Sequence, residues 1–138
     1  MTQDVRTKKR IMVDMSATLI HHGHIRLLEK ASRHGSVIIG LTTDDEIRRH
    51  KGYTPELDFN SRREVLLAIR HVDEVIETPW LITEALLDQH GIDILVHGHD
   101  NQNSISEDRL IILPRTKGIS STELRERSVK SLDEISQR

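Results

Sequence analysis

The chain has 138 residues, a formal net charge of −2 with histidines neutral, and no cysteine, which excludes disulfides, thiolate metal centres and cysteine nucleophiles. The near-zero net charge leaves no global positive field of the kind that dedicated nucleic-acid binding rests on. Only Tyr53, Phe59 and Trp80 are aromatic, so the core has to be built from Ile, Leu, Val and Ala. No apolar run reaches the roughly 20 residues of a membrane span, and the polar "MTQDVRTKKR" has no signal-peptide core. The expectation is one cytoplasmic domain over 1–138, with polar, mobile ends at 1–9 and 129–138.

In chain order, "RIMVDM" (10–15) has the length and character of a strand. Residues 23–34 predict a helix with Ile25, Leu27, Leu28 and Ala31 on a broad apolar face. "SVIIGLT" (36–42) is a second strand, apolar on both faces, and 43–50 a short charged helix. "KGYTPELDF" (51–59) is a loop punctuated by Gly52 and Pro55, followed by a helix at 61–72. A strand at 73–78, a helix at 81–91 ending on Gly91, and strands at 92–98 and 109–114 complete the alternation before a last helix opens at 120. Apolar strands separated by helices predict an α/β fold: a Rossmann-like parallel five-stranded sheet with helices on both faces. Such sheets bind ligands at the carboxyl ends of their strands.

The first loop to reach that edge is "DMSATLIHHGH", with His21, His22 and His24 around Gly23. Three readings are open. The histidines are solvated loop residues. Or they are metal ligands, with Asp14, His97 and His99 as the nearest candidates to complete a set, although zinc wants three or four ligands. Or they edge an oxyanion site, in which the helix N-terminus supplies N–H groups and dipole, Gly23 admits a phosphate, and the imidazoles donate hydrogen bonds.

The second informative stretch, "PRTKGISSTELRER", joins the last strand to the last helix. Ser120 and Glu123 fit a capping box. That leaves Arg115, Thr116 and Lys117 without a purpose, whereas cations, hydroxyls and a helix N-terminus together make a polyphosphate cradle.

His21-His22-Gly23-His24 resembles the HxGH motif of the nucleotidyltransferase superfamily, and Arg115 through Thr122 resembles the RTxGIST-type signature of small cytidylyltransferases such as the glycerol-3-phosphate enzymes. "RHVDEVIE" (70–77) and Arg62 are also similar to that family, and the resemblance runs from about residue 10 to 127. It implies transfer of CMP from CTP to a small acceptor with release of pyrophosphate. The catalytic set it implies is His21, His24 and Arg115. The nucleotide set is Ser16, His21, Gly23, His24, Trp80, His97, Gly98, Asp100, Arg115, Gly118, Ile119, Ser120, Ser121 and Thr122. Lys51 and Arg62 resemble acceptor-binding cations. Mg2+ is the implied cofactor, riding on the triphosphate and without confident side-chain ligands; the implied assembly is a homodimer, with neither nucleic acid nor membrane as partner.

The chain departs from that family at Met15 and Thr18, where it usually has Gly and Asp, and at Asn101, where it usually has Trp. "VDMSATLIHHGHI" is more similar to cytidylyltransferases associated with phosphonate biosynthesis, so the expected acceptor is a small phosphonate such as phosphonoformate. A phosphorylated polyol such as glycerol 3-phosphate is the alternative acceptor, and a non-catalytic nucleotide sensor the alternative of another class. A phosphonate oxygen is already anionic near neutral pH, so the expected catalytic problem is charge repulsion rather than deprotonation.

Overall fold

The computed structural model describes residues 8–98 and 100–137. Five parallel strands, β1 (Arg10–Met15), β2 (Ser36–Thr42), β3 (Glu74–Thr78), β4 (Ile94–Gly98) and β5 (Leu110–Leu113), form one sheet in the order β3-β2-β1-β4-β5. The helices are α1 (His22–Ser32), α2 (Asp44–Lys51), α3 (Phe59–Leu67), α4 (Glu84–Gln89) and α5 (Ser121–Ser136).

Alternation along the central strands divides the core in two. Ile11, Val13, Val37, Ile39, Leu41 and Val96 pack with Leu28 and Ala31 of α1 and Leu66 of α3 on one face. Met12, Ile38 and Leu95 pack with Ile82, Leu87 of α4 and Ile92 on the other. Both faces are covered, as the apolar strands require. The strand order reverses at β1, whose neighbours are β2 and β4, and this is where a crevice opens at the carboxyl edge.

Several boundaries differ from those expected. α3 begins at Phe59 because Asp58 caps it, its Oδ1 accepting from the Ser61 N–H at 2.8 Å. It stops at Leu67, and the chain continues to Val72 in tight turns, with Ala68 donating to Val65 and Val72 to Ile69. α4 starts only after Thr83, whose hydroxyl accepts from the Leu86 N–H. The segment expected to be a mobile tail is instead helical: α5 continues through Ser136. Of the amino-terminal end expected to be mobile, residues 1–7 lie outside the described residues.

Candidate active site

A cavity of about 390 Å³ opens at the carboxyl edge of the sheet. Its walls come from the end of β1 and the following loop, from the end of β4 and the segment after it, and from the chain between β5 and α5. Lys51, at the last turn of α2, and Trp80, just after β3, close the remaining side. The two stretches singled out in the sequence therefore face one space.

At the α1 mouth, His21 is the N-cap, and its Nδ1 accepts from the Gly23 N–H at 3.0 Å. His24 returns the favour, its Nδ1 accepting from the His21 N–H at 3.1 Å. The imidazoles thus perform a capping role usually filled by Ser, Thr, Asp or Asn. A ring that accepts through Nδ1 carries its neutral-state proton on Nε2, so both rings have an Nε2–H donor left over. The ring centroids are 4.1 Å apart. Burial, then His21, Lys51 and Arg115, push the His24 pKa down to about 4; burial and His22 lower that of His21. Near neutral pH these histidines are uncharged donors. His22 is exposed and is not part of the cavity wall.

Gly23 has a second reason to be glycine. A Cβ there would sit 2.7 Å from His21 Cε1 and 2.9 Å from its Nδ1, so the folded-over His21 ring excludes any side chain. The preceding loop passes through Ala17, a buried residue at φ 47° and the one described non-glycine residue at positive φ. The strain of that conformation is held in the cavity wall.

Across the floor runs an alternating chain of charge. Asp14 Oδ1 lies 2.5 Å from His97 Nδ1, and His97 Nε2 lies 3.5 Å from Asp100 Oδ1, whose other oxygen pairs with Arg115. Asn103 adds a contact to Asp14 Oδ2 at 3.4 Å. Burial works to lower the His97 pKa, but the hydrogen bond and charge of Asp14, helped by Asp100, outweigh it and raise the value above that of a free histidine. Gly98 leaves room for this chain: a Cβ would meet Asp100 Oδ1 at 3.0 Å.

At the α5 mouth, Ser120 is the N-cap and accepts from the Glu123 N–H at 3.0 Å. Ser121 reaches across to the first mouth, its hydroxyl donating to Leu19 O at 3.0 Å. Arg115, Thr116, Ile119, Ser120, Ser121 and Thr122 line the cavity; Gly118 does not, and its φ of 79° makes the turn that aims this segment inward. Ser16, Trp80, His97, Gly98 and Asp100 are also in the wall.

Arg62 is a second expected site residue that the cavity wall lacks. It was expected to grip an acceptor, but its side chain is fully buried on α3 and is absent from the cavity wall. Its guanidinium donates to Ser16 O at 2.6 Å, Thr42 O at 3.0 Å, Leu57 O at 3.1 Å and Asp44 Oδ1 at 2.6 Å. It braces the wall from behind. Lys51 does line the cavity, its Nζ 5.8 Å from the Trp80 ring centroid, while His50 stacks on Trp80 at 4.7 Å. Asn101, where the family it resembles usually has Trp, bonds Asn103 and does not reach the wall.

Sequence reading missed Lys30, Gln102 and Asn103 as wall residues, and it considered Asp14 only as a metal ligand. A carboxylate closing an otherwise apolar strand was the available signal for Asp14. A protein-held metal does not fit this donor set. Asp14 and Asp100 are engaged by His97 and Arg115, and no three His, Cys, Asp or Glu side chains among the described residues cluster to hold an ion. His99, also considered as a ligand, lies outside the described residues.

A crevice at the switch of a parallel α/β sheet, edged by two helix mouths, is the place where a doubly wound sheet binds its ligand. A solved lipopolysaccharide core biosynthesis protein from Thermoplasma volcanium shares this fold with a TM-score of 0.60 at 21% identity, over 88% of this chain and 87% of that one. The cytidylyltransferase-like family model matches residues 16–127, and the chain belongs to that family. It is 32% identical to a glycerol-3-phosphate cytidylyltransferase of Bacillus subtilis (strain 168), over 86% of this chain and 95% of the relative. It is 35% identical to one of Staphylococcus aureus (strain NCTC 8325 / PS 47), over 86% and 93%. An ethanolamine-phosphate cytidylyltransferase of Mus musculus is 34% identical over 83% of this chain, which spans 31% of that longer protein. No described helix is long and apolar enough to cross a membrane.

Proposed function

We propose that the protein transfers CMP from CTP to a small phosphomonoester, with glycerol 3-phosphate as the best-supported acceptor. The observation that carries this reading is the convergence of the two helix mouths on one cavity that also holds Lys30, Lys51 and Arg115. The relatives that match nearly end to end act on glycerol 3-phosphate, which moves the preferred acceptor away from a phosphonate.

In this reading an acceptor phosphate oxygen attacks the α-phosphorus. The new P–O bond forms as the α–β bridging P–O bond breaks, and pyrophosphate departs with the electron pair. An ionised phosphate oxygen needs no general base, which suits a site whose histidines sit neutral. His21 and His24 offer Nε2–H donors to charge growing at the α-phosphate. Arg115 exchanges Asp100 for the outer phosphates, Ser120, Ser121 and Thr122 present hydroxyl and backbone donors, and Lys51 meets the acceptor. A magnesium ion brought in on the triphosphate would supply charge neutralisation for the leaving pyrophosphate, with no side chain of this chain assigned to hold it.

The second reading keeps a small phosphonate as acceptor and is carried by the likeness of "VDMSATLIHHGHI" to phosphonate-associated enzymes. Pyrophosphate release with CTP and magnesium, measured against glycerol 3-phosphate, ethanolamine phosphate, phosphonoformate and 2-aminoethylphosphonate, decides between them. The expected result is the highest kcat/KM with glycerol 3-phosphate. A phosphonate in first place establishes the second reading, and CTP bound but never consumed establishes the sensor. Light scattering of the same preparation tests the homodimer that the resemblance implies.

A further inference from the structure

Arg125 sits in the second turn of α5, outside the cavity wall, yet it joins α5 and the Thr18 loop, which both contribute to that wall, to the connection that follows Lys51. Its Nε and Nη2 grip the two oxygens of Glu56 at 2.5 and 2.9 Å, and Nη2 also donates to Thr18 Oγ1 at 3.0 Å. Its guanidinium lies over the Tyr53 ring, 4.4 Å from the centroid, and the Tyr53 hydroxyl is 3.4 Å from Thr18 Oγ1. Tyr53 and Glu56 belong to the connection between α2 and α3, which starts directly after Lys51. Thr18 belongs to the loop between β1 and α1 that ends in the histidines.

We propose that Arg125 is a positioning residue: it fastens residues 52–58 and the Thr18 loop to α5, and so sets Lys51 at its working distance from the two phosphate mouths. This inference rests on the cavity being a cytidylyl-transfer site. Four observations support positioning rather than bulk stability. The Glu56 pair is bidentate, a geometry that fixes direction as well as distance. Its side chains are 27% and 39% exposed, and ion pairs that open to solvent contribute little to folding. Thr18 is buried, and its hydroxyl has the Arg125 donor and the Tyr53 hydroxyl as partners, so the contact selects one arrangement of the loop. α2 ends at Gly52 in the left-handed conformation, so the chain turns sharply there and the clamp holds it at Tyr53 and Glu56, two and five residues beyond Lys51.

The test uses the full chain with Arg125→Ala, Arg125→Lys, and the exchange Glu56→Arg with Arg125→Glu. Arg125→Ala is expected to raise the acceptor KM about fivefold, less than the loss of a charge-assisted contact outright because Lys51 is displaced and not removed, with CTP affinity by calorimetry within about twofold of wild type. Hydrogen exchange of the 52–58 amides is expected to accelerate in Arg125→Ala and to slow again in the charge exchange, which should also recover part of the acceptor KM. If Arg125→Ala fails to fold, Arg125→Lys is read in its place, since it keeps the charge but loses the fork. Equal losses for CTP and acceptor, or unchanged exchange at 52–58, overturn the proposal. If wild-type protein consumes no CTP with any acceptor, the functional reading fails, and the exchange measurement alone decides whether the clamp exists.

Discussion

The two helix mouths that share the cavity are built oppositely. The α1 mouth is capped by histidines whose own bonds lock their rings and whose burial keeps them neutral. The α5 mouth is capped by a serine and flanked by an exposed arginine that pairs with a carboxylate across the cavity. One is fixed and uncharged, the other cationic and free to exchange partners. A transferring phosphoryl group needs donors already in place, because any reorganisation during the reaction costs rate. A polyanion arriving from water needs charge that can reach out for it.

The largest effect is expected from removing what holds the first mouth rigid. Arg62→Ala strips four acceptors, Ser16 O among them, and should cost on the order of 3–5 kcal/mol by urea denaturation. Arg62→Lys should recover less than half, because an ammonium cannot reach the same fork of partners.

Next comes His24. His24→Ala should lower kcat roughly 100- to 1000-fold at saturating CTP, the scale of one lost transition-state donor, with unchanged circular dichroism. His24→Asn sharpens the point: its side-chain oxygen can replace Nδ1 as acceptor for the His21 N–H but supplies no Nε2–H in the same place. It should restore the cap and not the rate; recovery of both would make the histidine a structural cap alone.

The same residue sets a pH window. Unfolded, His24 takes up a proton near pH 6.5; folded, near 4, so the unfolded chain binds more protons between these values. Its contribution is fully present above 6.5 and is lost as pH falls toward 4, by up to about 3 kcal/mol. His97 runs the other way. Its pKa is raised, so its contribution is present below 6.5 and declines as pH rises through the folded value. Denaturant midpoints from pH 4 to 8 should show a drop on the acid side that is shallower in His24→Asn, and an alkaline decline that Asp14→Asn removes.

At the second mouth the expected losses are smaller and concern binding. Arg115→Ala should weaken CTP by roughly 1.5–3 kcal/mol and CMP by much less, read by calorimetry. Equal losses would place Arg115 at the α-phosphate and make the two mouths alike. Smallest is Ser121→Ala, which cuts the tie to Leu19 O between the mouths. It should cost about 1 kcal/mol of stability, with kcat changed more than the affinity for CTP.

The alternation of strands and helices, the parallel sheet and the two segments that border the cavity were legible in the chain because each depends on local pattern: continuous apolar runs, helix periodicity, and short motifs whose chemistry is carried by neighbouring residues. The histidine question was legible too, although not its answer. That His21 and His24 cap the helix depends on the rings folding back onto N–H groups two and three residues away, which residue type does not specify. The length of α5 was underestimated because a polar sequence without caps or breakers reads equally as helix or as tail.

Tertiary structure alone decided the role of the cations. In the sequence Arg62 and Lys51 both read as acceptor-binding cations and Arg125 as an unassigned helix charge, and nothing local fixes which way each side chain points. Packing turned Arg62 inward to four acceptors, left Arg115 and Lys51 on the cavity, and set Arg125 across three segments. The Asp14–His97 pair has the same origin, since residues 83 apart meet only because β1 and β4 are neighbours in the sheet. A side chain's type sets what it can bond. Which partners lie within 3 Å is set by long-range pairing, and that is where a charge becomes a brace, a clamp or a ligand site.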